Sequence, residues 1–172
     1  MVQRHVIFVT GVSGTGKSTL GKSVAADLHI AFEEGDSFHS QANIAKMSAG
    51  IPLEDADRWG WLKTLNRVAR NHLNEGRNVI IACSALKATY REILAENIEQ
   101  NSQFIYLHGA QDIIHHRIKA REHFFAGDNM LISQFLALDP PSEQEAKHID
   151  VSQKFESVFC QCKKYIEATN TT

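Results

Sequence analysis

Apolar positions along the chain follow two alternating rhythms. Val6 to Thr10 form an apolar stretch that runs into a glycine-rich turn, as a strand buried on both faces should. After the turn, Leu20, Val24, Ala25 and Leu28 recur at helical spacing and give one apolar face. Further short β-like runs lie at Ile30 to Glu33, Val79 to Cys83, Phe104 to Leu107 and His148 to Val151. Helical patterns separate them, through Trp61, Leu62, Leu65, Val68, Ala69 and His72, through Tyr90, Ile93, Leu94 and Ile98, and through Ile113, Ile114 and Ile118. The last, from Phe155 to about Ala168, sets Phe155, Val158, Phe159, Cys162 and Ile166 on one stripe. Alternating strands and helices predict an α/β fold with a mostly parallel sheet covered on both faces.

Two stretches break the alternation, Gly35 to Arg58 and His123 to Pro141. Long excursions between core elements are often lids or binding loops, so both are assigned to substrate capture and closure. At 172 residues the chain suits one domain, 1–172. A net charge of -2 gives no electrostatic reason to expect nucleic acid or an anionic membrane as partner, and favours a small metabolite. The start lacks the features of a secretory signal and no apolar run approaches a membrane span, so the expected compartment is the cytoplasm. Of the three cysteines, Cys83 lies in an apolar run, and Cys160 and Cys162 point to different faces of a helix. Core packing, rather than a disulfide framework or zinc site, is the expectation.

The chemistry concentrates where the first strand ends. Gly11, Val12, Ser13, Gly14, Thr15, Gly16, Lys17 and Ser18 fit G-x-x-x-x-G-K-[ST] in full, with a strand before and an amphipathic helix after, the context a phosphate loop requires. Glycines let the backbone turn its N–H groups inward into a nest for anionic oxygens. The helix beginning near Lys17 adds its positive end, and Thr19 falls in its first turn. Lys17 supplies a cation to the β- and γ-phosphates of ATP, and Ser18 a hydroxyl to Mg2+. No Asn-Lys-x-Asp string for guanine is present, and the chain is small for a motor, which leaves a metabolite kinase.

Gly35-Asp36-Ser37-Phe38-His39, followed by Asn43, Lys46-Met47, Gly50-Ile51-Pro52-Leu53 and Asp55-Ala56-Asp57-Arg58, resembles the gluconate kinase family. Cys83-Ser84-Ala85-Leu86-Lys87-Ala88-Thr89-Tyr90-Arg91 has the same affiliation. Lys119-Ala120-Arg121-Glu122-His123-Phe124-Phe125, with Ser133-Gln134-Phe135, is similar to that family's lid. The resemblance implies a three-layer α/β/α P-loop kinase fold with a parallel sheet and a helical lid at approximately 122–141. It also implies ATP-dependent phosphorylation of gluconate to 6-phosphogluconate, and a homodimer. The chain departs from the family pattern at Ser40 and Gly60, each in place of a proline, and in lacking a glycine between Glu122 and His123. These differences bear on lid geometry and acceptor affinity.

Gluconate carries a carboxylate at one end and a primary hydroxyl at the other, so its pocket needs a cation, polyol hydrogen bonds and a base. Asp36, just past the second strand, is the candidate base, with turn capping as the alternative. Arg58 can present a fork to the carboxylate or pair with Asp55 or Asp57. His39 can donate to a sugar hydroxyl or sit in solvent, and Ser84 is a candidate hydroxyl contact. Lys87 and Arg91, four apart, share a helix face aimed either at the acceptor and the transferred phosphoryl or at water. Arg117 and Arg121 repeat that spacing, with ATP between them or each solvated alone; in the first case Arg121 stabilises the transferring group from the lid. Another small acceptor, shikimate or a nucleoside monophosphate, is the rival within kinases, and a non-catalytic ATP sensor the rival outside them.

Overall fold

In the computed structural model, which describes residues 4–120 and 128–169, β1 (Val6–Thr10) is buried along its whole length. Val6 and Phe8 face one side of the sheet, Ile7 and Val9 the other, which is why the run is apolar throughout. On one flank of β1 lies β3 (Val79–Ala82), then β2 (Ala31–Glu34). On the other lies β4 (Ser102–His108), then β5 (Ala146–Asp150). All four pairings are parallel. The five strands are those the apolar runs predict, with ends shifted by one or two residues.

Parallel neighbours need crossovers, and the crossovers supply the outer layers. Helices α1 (Lys17–Leu28) and α7 (Phe155–Thr169) bring Leu20, Val24, Val158, Cys162 and Ile166 against Ile7, Val9, Ile80 and Ile105. Helices α3 (Asp55–Asn74) and α4 (Ala88–Ala95) bury Trp61, Leu62, Leu65, Tyr90 and Leu94 against the opposite face, where Phe8 stacks on Phe104 with centroids 5.1 Å apart. Ile114 and Ile118 of α5 (Gln111–Lys119) and Leu131 of α6 (Asp128–Ala137) join that second cluster with Val12. Cys83 and Cys162 are buried and Cys160 exposed, all as free thiols; burial pushes the first two up to about 12. Among the described residues no helix is long and apolar enough to cross a membrane.

The first excursion is ordered rather than open. A 3-10 turn at Gly35–Phe38 leads into α2 (Gln41–Ser48) and then α3. A Cβ at Gly35 would lie 2.4 Å from the Ala82 carbonyl oxygen, so a glycine is required to hold this turn against β3. Ser40, where the resemblance implied proline, caps α2 by accepting a hydrogen bond from the Asn43 amide at 3.1 Å. Gly60, the other such position, lies inside α3 with open space where a Cβ would stand. In the second excursion α6 is helical, while residues 121–127 lie outside the described set.

Buried Asn66 on α3 donates to the carbonyls of Leu94 and Glu96, at 2.9 and 3.0 Å, tying down the C-terminal end of α4. Asn66→Ala is expected to lower unfolding free energy by about 1–3 kcal/mol in urea denaturation, because two carbonyls at a helix end lose their donor.

Candidate active site

The loop between β1 and α1 is shaped by close approach. Gly11 has φ +137, and a Cβ there would lie 2.4 Å from the Leu107 carbonyl oxygen. Gly14 and Gly16 also take positive φ, turning the intervening amides toward one concavity. Inside it the Thr15 hydroxyl and Lys17 Nζ donate to the Val12 carbonyl at 2.9 and 3.0 Å, bracing the loop from within. Helix α1 starts with no side-chain cap and no acidic residue in its first turn. Open amides at a positive helix end, with the Lys17 ammonium beside them, fit a polyphosphate, and the Ser18 hydroxyl is of the donor type Mg2+ accepts.

Two regions of the cleft flank this loop. On one side Gly14, Thr15, Gly16, Thr19 and Arg117 line a cavity of about 340 Å³ with Val151, Phe155 and Val158, an apolar wall of the size a purine base needs. The Arg117 guanidinium donates to the Val151 carbonyl, which holds it along this wall. On the other side Ser13, Lys17, Asp36, His39, Arg58 and Ser84 line a cavity of about 190 Å³ with Met47, Pro52, Leu53, Met130 and Gln134. A neighbouring cavity of about 290 Å³ shares Arg58, Pro52, Leu53 and Gln134, and adds Asp55, Lys87 and Tyr90. Together they make a trough running from the phosphate loop to Lys87.

Asp36 opens into this trough with its side chain 76% exposed, its Oδ1 3.8 Å from His39 Nε2. It is not consumed by capping, since only its backbone carbonyl accepts in the turn, from the His39 amide. His39 is buried, stacked on Trp61 with centroids 4.3 Å apart and hydrogen-bonded through Nδ1 to Asn43. Trp61 is anchored in turn, its Nε1 donating to Gly35 O at 2.8 Å. Burial lowers the His39 pKa, the Asp36 carboxylate opposes that and Arg58 adds to it, so the ring is neutral at neutral pH.

Around Arg58 the acidic residues are already engaged. Asp57 accepts from Lys46 Nζ at 2.7 and 2.8 Å. Asp55 accepts from Lys87 Nζ at 2.7 Å and from the Tyr90 hydroxyl. These donors hold both carboxyls below the usual carboxylate range. Arg58 itself lies over the Tyr90 ring at 5.8 Å, and among the described residues its guanidinium makes no ion pair with either aspartate.

Lys87 and Arg91 part company. Lys87 precedes α4 with extended backbone, φ -108 and ψ 152, so the helical spacing that would align the two does not apply. Lys87 reaches the trough; Arg91 is buried beneath it, donating to the carbonyls of Ala85 and Asp139 and lining a separate cavity. Arg121 lies outside the described residues, and α5 ends at Lys119 before reaching it. Met47, Pro52, Leu53 and Gln134 lie in the matched segments but were given no role there, and Met130, Val151 and Phe155 were not read as site residues; all of them line the cleft. Phe155, read as core, is 45% exposed; its place at the start of α7, just past a strand end, was the available signal.

A five-stranded parallel sheet with this loop at the end of its central strand defines a P-loop kinase of the small-molecule type, and the family model for shikimate kinase matches residues 13–168. Shikimate kinase from Bacteroides thetaiotaomicron shares the fold, with TM-score 0.67 at 20% identity over 95% of this chain and 98% of that one. Nearer in sequence is the thermoresistant gluconokinase of Escherichia coli strain K12, 42% identical over 90% of this chain and 89% of that protein. A gluconokinase from Sinorhizobium meliloti 1021 superimposes with TM-score 0.88 at 34% identity, covering 98% of this chain and 96% of that one. The chain belongs to the gluconokinase family.

Arg91→Met is therefore expected to cost about 1–3 kcal/mol in denaturant unfolding, because two carbonyls lose a buried donor, while leaving the acceptor KM within twofold of the parent. A second expectation concerns pH. An unfolded histidine charges near pH 6.5, whereas folded His39 resists protonation until lower pH. Its contribution is thus complete above about pH 6.5 and lost progressively below it. Urea midpoints should fall between about pH 7 and pH 5, and His39→Gln should flatten part of that slope; His5, also lowered by burial, retains the rest.

Proposed function

We propose that this protein transfers the γ-phosphoryl group of ATP to the primary hydroxyl of gluconate, with Asp36 as base. The observation that carries this reading is that Asp36, Lys17, Ser13 and Arg58 line one cavity, with Arg58 shared by the neighbouring cavity that Lys87 lines. A base and a cation lining one trough suit a molecule that is anionic at one end and an alcohol at the other.

ATP enters with its base against Val151 and Phe155, and its phosphates on the loop amides and α1. Lys17 Nζ meets the β- and γ-phosphate oxygens. Bound Mg2+, held through the Ser18 hydroxyl, would neutralise phosphate charge. At the acceptor end Arg58 offers two parallel donors to the carboxylate, with Lys87 next to it and Tyr90 as floor. His39 and Ser84 line the middle, where hydroxyl groups lie. Asp36 then accepts the proton of the terminal hydroxyl as its oxygen attacks phosphorus and the bond to the β-phosphate bridging oxygen breaks. Helix α6, within the 122–141 lid, closes the trough through Met130, Ser133 and Gln134 and excludes water from it. Arg117 acts from the nucleotide side, and the family resemblance gives Arg121 the role of stabilising the transferring group.

An ATP-consuming step is in keeping with a cytoplasmic protein, and the family resemblance supports a homodimer, which sedimentation at micromolar concentration tests directly.

A coupled ADP-release assay across sugar acids should give turnover with gluconate and magnesium, and folded protein inert to gluconate would overturn the reading. Asp36→Asn is expected to keep ATP affinity and lower kcat by about 10²-fold or more. Arg58→Ala should instead raise the gluconate KM roughly 10- to 100-fold, the cost of losing a charge-assisted hydrogen bond; an unchanged KM would remove Arg58 from the carboxylate site.

A further inference from the structure

Gln134 projects from α6 onto the phosphate loop and grips a single residue. The Ser13 backbone N–H donates to Gln134 Oε1 at 2.7 Å, and Gln134 Nε2 donates to Ser13 Oγ at 3.0 Å. A backbone N–H can only donate, so the carboxamide oxygen must be the atom facing it. Ser13 is also the loop residue on the acceptor side. It lines the cavity of Asp36 and Lys17, whereas Gly14, Thr15, Gly16 and Thr19 line the nucleotide side. The group in transit between ATP and acceptor has to pass beside Ser13.

The arm that carries Gln134 is braced at both ends. Leu131, one turn earlier, is buried in the cluster holding Ile114 and Ile118. Past the helix, the Asp139 amide donates to Leu86 O at 2.8 Å, and the Asp139 carbonyl accepts from Arg91 at 2.9 Å. The Ala88 amide donates to the Asp139 carboxylate at 3.3 Å. A carboxamide held so firmly against one loop amide is placed for more than covering the trough.

We propose that Gln134 is a γ-phosphoryl contact: its Oε1 occupies the Ser13 N–H that a terminal phosphoryl oxygen takes when triphosphate binds, and its Nε2 then donates to that phosphoryl group. This rests on the phosphotransfer reading above. One amide proton cannot serve two acceptors at full strength, so the carboxamide oxygen gives way to the more strongly accepting phosphate oxygen. Turning the carboxamide presents Nε2–H to the same group. A diphosphate does not reach this position, and leaves the Gln134–Ser13 pair intact. Gln134 therefore distinguishes ATP from ADP and donates to the transferring group as charge shifts across it.

The test compares wild type, Gln134→Ala and Gln134→Glu by calorimetric titration with ADP and with a non-hydrolysable ATP analogue, both with magnesium, and by steady-state kinetics with gluconate. Gln134→Glu keeps the shape and the acceptor but puts a carboxylate against the phosphoryl group, so analogue affinity should fall at least about tenfold while ADP affinity stays within twofold. Gln134→Ala should lower kcat about 10²-fold with gluconate KM little changed, the loss expected for one donor to the reacting group. ADP and analogue affinities that move together in Gln134→Glu, or kcat within twofold of wild type in Gln134→Ala, would overturn the proposal. Wild-type protein inert toward gluconate would sink the functional reading, and the two titrations would still decide the role of Gln134.

Discussion

The close approach of Gly11 to the Leu107 carbonyl is the contact on which the site depends. It lets the chain leave β1 sideways, across the end of β4, and turn its amides inward before α1 begins. Parallel register then matters as much as the loop. Val6 pairs with Val79 on one side and Ser102 on the other, so the carboxyl ends of β1 and β3 finish together, and Ser84 O accepts the Gly11 amide at 3.2 Å. Asp36, following β2, is brought to the same edge because Gly35 rests against β3. Ligands of open α/β sheets gather at this edge.

The Arg58 end of the trough is built by engaging some charges so that another stays available. Lys46 and the Glu54 amide hold Asp57, and Lys87 and Tyr90 hold Asp55. Each engagement removes a carboxylate that would otherwise compete for Arg58. The arrangement leaves the guanidinium over an aromatic ring and facing the trough, where it can meet a ligand carboxylate with both donors of its fork. His39 is treated differently: burial on Trp61 keeps it uncharged beside Asp36.

Positions readable in the sequence were those whose chemistry is local. The five strands announce themselves because residues buried on both faces must be apolar in succession, as Val6 to Val9 and Val79 to Ala82 are. The phosphate loop is equally legible, since its glycines, lysine and serine act within one turn of chain. Arg91 was misleading because α4 begins one residue after Lys87, and a spacing argument assumes both residues are helical. Gln134 falls in a segment matched to the family's lid, but its contact with Ser13 was not readable, because the two are distant along the chain.

The amino-acid sequence by itself determined the α/β alternation, the phosphate loop and the kinship carried by the segments around Asp36, Ser84 and Ser133, since each rests on neighbours along the chain. Tertiary structure alone decided which polar groups meet. Lys87 turned to the Asp55 carboxylate, Arg91 to the Asp139 backbone carbonyl, and Gln134 to Ser13. Those choices follow from helices docked on a twisted sheet, where burial sets each side chain's direction and a residue's partners need not be near it in the chain.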